Sequence, residues 1–220
     1  MNKDRLQQIK IQLRDRALNK RKEALDELAT MSPEVALPIL QQLFQESDFA
    51  LRRFAVMGLG NHLTDESFIM LQNILSQERD ANVLAEAANS IYEFGDRSIP
   101  ILRNLFINSD NWLIHQTVIA LLVDSKNYAV LLEIIKLGLT KVDQTTKETA
   151  ILSLSQLLDT KYKQEAFDLF AALAEDDYWR TRWRTAIALS ASQDLQAKKL
   201  LARLQQDEHY RVVAAALTKG

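Results

Sequence analysis

Apolar and small residues recur through most of the chain at a spacing that only helices satisfy. In Asp48-Phe49-Ala50-Leu51-Arg52-Arg53-Phe54-Ala55-Val56-Met57-Gly58-Leu59-Gly60, an aliphatic-Arg pair follows an acid, a small residue lies three beyond the arginine, and a leucine seven beyond. Positions three and seven residues on share one face of a helix. Read along the chain, the arginine position recurs at Arg21, Arg52, Ala85, Ile114, Lys147, Arg182 and Arg211, at spacings of 31, 33, 29, 33, 35 and 29 residues. The small position holds Ala24, Ala55, Ala88, Thr117, Ala150, Thr185 and Ala214. The large one holds Leu28, Leu59, Tyr92, Leu121, Leu154, Leu189 and Thr218. Asp48, Asp110, Asp143 and Asp207 precede these helices as N-caps or first-turn acids, where they satisfy orphan N–H groups.

A second set of amphipathic segments falls between them, at roughly 33–45, 65–77, 97–108, 126–139, 162–175 and 194–206. Pro100 sits in a first turn, Pro38 lies deeper and is expected to bend its helix, and Gly60 and Gly95 mark helix stops. Helix–turn–helix units of about 31 residues cannot bury their apolar faces alone and must stack. The expected fold is all-α: a right-handed α-α superhelix, or solenoid, of about seven helical hairpins in a single 1–220 domain. Its repeats run approximately 1–31, 32–62, 63–95, 96–124, 125–159, 160–192 and 193–220.

The pairing of these helices resembles HEAT repeats: Pro-x-Leu-type first helices, Asp before the second, then aliphatic-Arg-x-x-Ala and Leu-Gly. The short period is most similar to the phycobilisome lyase HEAT-like repeat type. That resemblance implies a non-enzymatic interaction scaffold or adaptor without a cofactor, acting in assembly or turnover of a pigment–protein complex such as the phycobilisome. Its alternative is a bilin lyase subunit or lyase-like chaperone that attaches or detaches phycobilin, with Trp112, His115, Trp179 and Trp183 as pigment contacts. A HEAT-like alkylpurine DNA glycosylase is a distant third. Those enzymes are strongly basic and carry a Trp-Asp signature, whereas this chain has a net charge of −2 and no Trp-Asp pair.

Composition narrows the chemistry. Five Gly and three Pro disfavour a turn-rich β protein, and zero Cys removes disulfides, thiolate zinc sites and a Cys nucleophile together. Residues 1–22 carry eight basic side chains against two acids, an uneven charge that reads first as a solvated helix end. No stretch approaches 18 apolar residues, so no transmembrane segment is expected, and a cytoplasmic setting is the default. His62, His115 and His209 fall in different repeats without metal-ligand spacing, and His62 reads as a surface or capping residue. No phosphate-binding loop or nucleophile elbow is present.

Binding is therefore the expected work, with a protein partner on the concave face and no nucleic acid. Three Arg and three aromatics in Tyr178-Trp179-Arg180-Thr181-Arg182-Trp183-Arg184 match the composition of interaction hot spots, which singles out Trp179, Arg180 and Trp183. One residue past the arginine position, Arg53, Glu86, His115, Glu148 and Trp183 are expected to face outward, and Trp112 joins that row. The apolar last helix, Tyr210 to Leu217, suggests a homo- or hetero-oligomer contact.

Overall fold

A computed structural model describes residues 3–218 and, among these, fourteen α-helices and no strand. The helices alternate as expected. The first members of the hairpins are α1 (Lys3–Gln12), α3 (Pro33–Phe44), α5 (Asp65–Gln77), α7 (Ile99–Ile107), α9 (Tyr128–Leu139), α11 (Lys163–Leu173) and α13 (Leu195–Leu204). The second members are α2 (Leu18–Ala29), α4 (Phe49–Gly60), α6 (Ala81–Tyr92), α8 (Trp112–Ser125), α10 (Gln144–Ser153), α12 (Trp179–Leu189) and α14 (Tyr210–Leu217). The fold is an α-α superhelix of seven hairpins. Two compact units divide it, residues 1–117 and 118–220.

In the first unit α2 packs on α4 and α4 on α6; in the second, α10 packs on α12 and α12 on α14. Asp48, Asp80 and Asp143 cap their helices by accepting backbone N–H bonds, each cap contributing about 1 kcal/mol. Asp110 and Asp207 do not hold the N-cap position. The caps of α8 and α14 are Asn111 and His209, one and two residues later.

Counting from the caps corrects the repeat. Arg21, Arg52, Lys147 and Arg182 each lie four residues past their N-cap, and so do Leu84, His115 and Val213. The true arginine position is therefore Leu84 rather than Ala85, His115 rather than Ile114, and Val213 rather than Arg211. The reading from the sequence slipped because runs such as Ala85-Glu86-Ala87-Ala88 offer a small residue in either phase. In the corrected register the small position holds Ala24, Ala55, Ala87, Val118, Ala150, Thr185 and Ala216, every one buried. The large position holds Leu28, Leu59, Ile91, Leu122, Leu154 and Leu189, also all buried; its seventh member lies outside the described residues. Burying such a side chain contributes roughly 1.5–3 kcal/mol.

Other expectations change with packing. α3 continues as helix through exposed Pro38. Gly60 is the last helical residue of α4 with no left-handed turn after it; a Cβ there would stand 2.9 Å from Ser90 Cβ, so the glycine serves close approach to α6. Gly95 does take the left-handed conformation, at φ +64, as the first residue of a short 3-10 turn after α6. His62, expected at the surface, is buried, and its Nε2 has no hydrogen-bond partner.

Candidate functional site

The arginine position does structural work through a repeated clip. Arg52 donates from one guanidinium nitrogen to the carbonyls of Glu46 (3.2 Å) and Ser47 (2.8 Å), and from the other side to the Glu78 carboxylate (2.8 and 3.3 Å). Arg182 repeats the arrangement with the carbonyls of Asp176 (2.8 Å) and Asp177 (3.0 Å) and the carboxylate of Asp207 (2.7 and 3.1 Å). Lys147 reaches Asp176 at 3.0 Å. The acids Glu78, Asp176 and Asp207 all stand two residues before the next second-helix cap. Each also accepts that cap's backbone N–H. At these three joints the clip ties one hairpin to the next and caps a helix start at once.

His115 takes the within-hairpin half of this clip and does not face outward. It is 1% exposed, its Nε2 is 2.7 Å from the Ser109 carbonyl, and its ring lies 4.4 Å from that of Phe106. The bond spans six residues, as do those from Arg52 to Glu46 and from Arg182 to Asp176. Glu86 was placed outward by the same slip of register; it is buried and bound at 2.8 Å by exposed Arg53. Trp112 is 50% exposed at the start of α8.

The second unit brings four of the named residues together. Glu148 is buried because two arginines of the next hairpin cover it: Arg180 at 2.8 Å and Arg184 at 2.7 Å, with Gln144 at 3.2 Å. Burial is the largest single influence on its carboxyl and raises the pKa. Hydrogen bonds from Arg184 and Gln144 and the charges of Arg184 and Arg180 together outweigh it and leave the group below its ordinary range. Glu148 is thus ionised at neutral pH and fixes two guanidinium groups beside Trp179 and Trp183.

Around these arginines runs a continuous set of rings. Trp179 stacks on His209 with centroids 3.9 Å apart and planes 3° from parallel. His209 stacks on Tyr210 at 5.2 Å, and Trp183 and Tyr178 each lie 6.2 Å from Trp179. Arg184 sits 4.4 Å over Trp183, and Arg211 lies 5.5 Å from the Trp179 centroid, contacts worth about 0.5–1 kcal/mol each at exposed sites. Tyr178 and Arg211 are exposed and Tyr210 is 70% exposed, while Trp179 and Trp183 are half-buried. The sequence points to Trp179, Arg180 and Trp183 as one cluster and to Tyr210–Leu217 as a separate contact, but not to their union with His209: these residues lie about thirty apart and meet only because α14 packs on α12. The terminal helix is amphipathic: Val212, Ala215 and Ala216 face inward, Tyr210 and Leu217 outward.

Among the described residues no group of three His, Cys, Asp or Glu is placed to hold a metal ion, and no helix is long and apolar enough to cross a membrane.

Comparison with known proteins agrees with this architecture. The family of HEAT repeats matches residues 37–122. The crystal structure of YibA from Escherichia coli is 15% identical, with a TM-score of 0.65 over 98% of this chain and 80% of that one. It shows the fold. More distant likenesses are the complex of CpcE and CpcF of phycocyanin lyase from Nostoc sp. PCC7120 (16% identity, 96% and 91% coverage, TM-score 0.48) and human deoxyhypusine hydroxylase (16%, 97% and 93%, 0.39). No curated protein matches the sequence.

Proposed function

We propose that the chain is a non-enzymatic protein-binding module, and that Tyr178, Trp179, Trp183, Tyr210 and Arg211 form its recognition patch. The observation that carries this reading is the Trp179–His209–Tyr210 stack flanked by Arg184 and Arg211. Rings that are already ordered lose little conformational freedom on binding, and Trp, Tyr and Arg are the residues that dominate interface energy. Arg180 and Arg184 are tied to Glu148, whereas Arg211 has no acidic partner among the described residues and donates to Tyr210 Oη at 3.1 Å. It is the cation available to a partner's carboxylate. A pigment-binding protein of the phycobilisome type is the partner class to try first. Support for that choice is the short repeat and its residues, a likeness at the level of fold.

Affinity capture from a native extract tests the reading, with wild type and a Tyr210→Ala/Arg211→Ala variant run in parallel and the eluates read by mass and visible absorption spectra. Both substituted residues are exposed, so the fold stays intact. Expected is one stoichiometric partner, coloured if it is a phycobiliprotein, that the variant binds at least tenfold more weakly. Equal capture by the variant removes the patch from the mechanism, and a colourless partner removes the pigment reading.

A further inference from the structure

The hairpins act as controls for one another: an arginine completes the clip at the joints between hairpins two and three and between six and seven, and the joint between three and four carries an aliphatic side chain in its place. Between hairpins six and seven, a groove of about 470 Å³ is lined by Asp176, Asp177, Asp207 and Glu208 and holds Arg182. The corresponding groove between hairpins three and four measures about 660 Å³, and the residue at the arginine position there is Leu84. The carbonyls that take the guanidinium elsewhere lie six and five residues before it, and here they belong to Glu78 and Arg79. Both residues line the groove, and among the described residues neither carbonyl accepts a hydrogen bond. Across the groove the ladder acid is replaced by Ser109, whose Oγ still accepts the Asn111 N–H at 3.1 Å. The next residue, Asp110, occupies the place of Glu208, which accepts from Arg182 at 3.2 Å.

We propose that this groove receives an arginine side chain from a partner protein, which completes in trans the clip that Arg52 and Arg182 form in cis. The half-buried Leu75, Leu84 and Leu105 flank a path for the methylene stem. The Glu78 and Arg79 carbonyls accept from one edge of the guanidinium. Asn104, Asn108 and the Asp110 carboxylate, which already has an interaction of its own and offers several lone-pair sites, lie at the other edge. The Glu78 carboxylate on the groove wall is already held by Arg52, so the groups that select a guanidinium are the two carbonyls, the Asn104 and Asn108 side-chain amides and the Asp110 carboxylate. The inference stands apart from the α12–α14 patch, and the two are lost by different substitutions.

The test is an NMR titration of the full chain with N-acetyl-arginine N-methylamide, its citrulline analogue and free arginine. The blocked arginine is expected to give saturable shifts at the methyls of Leu84 and Leu105 and the side-chain amides of Asn104 and Asn108. A ligand of this size binds with a dissociation constant on the order of millimolar. The neutral citrulline analogue should bind at least tenfold more weakly. Leu84→Arg puts the guanidinium back in cis; it should abolish those shifts and raise Tm by about 2–4 °C. Asn104→Leu, on an exposed surface, should weaken binding at least threefold without changing Tm. Absence of saturable shifts overturns the proposal, as does equal binding of citrulline or wild-type binding by both variants. Free arginine binding tenfold tighter than the blocked form would overturn the assignment to a partner protein.

Discussion

The joint between hairpins six and seven and the joint between hairpins three and four have the same backbone plan and opposite chemistry. In the first, Arg182 is buried against Asp207, with two carbonyls at one edge of the guanidinium and the Asp207 and Glu208 carboxylates at the other. In the second, an aliphatic side chain and a hydroxyl stand where the ions would be, and the space between them is open. Helical stacking survives in both: Ala87 and Ile91 are as fully buried as Thr185 and Leu189. The stack is therefore held by its apolar face, and the clip sets how one hairpin's loop is tied to the next. Where the clip is missing, the same loop becomes a surface with acceptors to offer.

Three variants break or sharpen this contrast. The largest effect is expected from Arg182→Leu, which strands the buried Asp207 carboxylate; stability should fall by about 3 kcal/mol. Calorimetry should show the unfolding transition of the full chain lowered by about 6–12 °C. A loss under 1 °C would mean that the clip is ornamental. The converse is Leu84→Arg with Ser109→Asp, which installs both partners at the open joint and should stabilise the full chain by about 1 kcal/mol, or about 2–4 °C. A decrease would show that the two joints differ in more than these side chains.

The smallest effect separates the clip from the opposite end of α4. Burial, the larger influence, lowers the His62 pKa, while a hydrogen bond with the Leu28 backbone raises it. The unfolded chain therefore binds more protons than the folded one just below the ordinary histidine pKa. Stability conferred by neutral His62 is complete above about pH 6.5 and declines as the pH falls below it. The clip acids behave otherwise. Burial, the largest single influence, raises the carboxyl pKa of both Glu78 and Asp207. Their arginines and the backbone N–H groups they accept outweigh it and hold both below the usual range. Their contribution is present above about pH 4 and is lost as the pH falls through the lowered folded value. Urea midpoints measured from pH 7.5 to 5 should decline for wild type and stay level for His62→Leu. Parallel declines would assign the effect elsewhere.

Several features were legible in the sequence because they depend on local periodicity. The bounds proposed for the second amphipathic segment, 65–77, coincide with α5, and the remaining first-member segments agree within a few residues. Apolar spacing of 3.6 residues, early proline and capping aspartate are readable without neighbours. Phase was harder. In α6 the run of alanines gives no contrast between one register and the next, so Ala85 and Glu86 were given roles that belong to Leu84 and Ala85. Exposure was harder still. Glu148 lies on the expected outward phase, yet Arg180 and Arg184 from the next hairpin close over it.

By itself the sequence determined that this chain is helical, that it is built of seven hairpins, and which residues could serve as large aromatic or cationic anchors. Those follow from the period of the pattern and from side-chain chemistry, which act within a dozen residues. Only the tertiary structure decided which arginines are spent holding hairpins together and which remain at the surface. It also decided that His209, Tyr210 and Arg211 complete the cluster begun by Trp179, and that the joint between hairpins three and four is left open. Each of these is a contact across some thirty residues of chain, and the stacking of one hairpin on the next, not the sequence spacing, sets the distance.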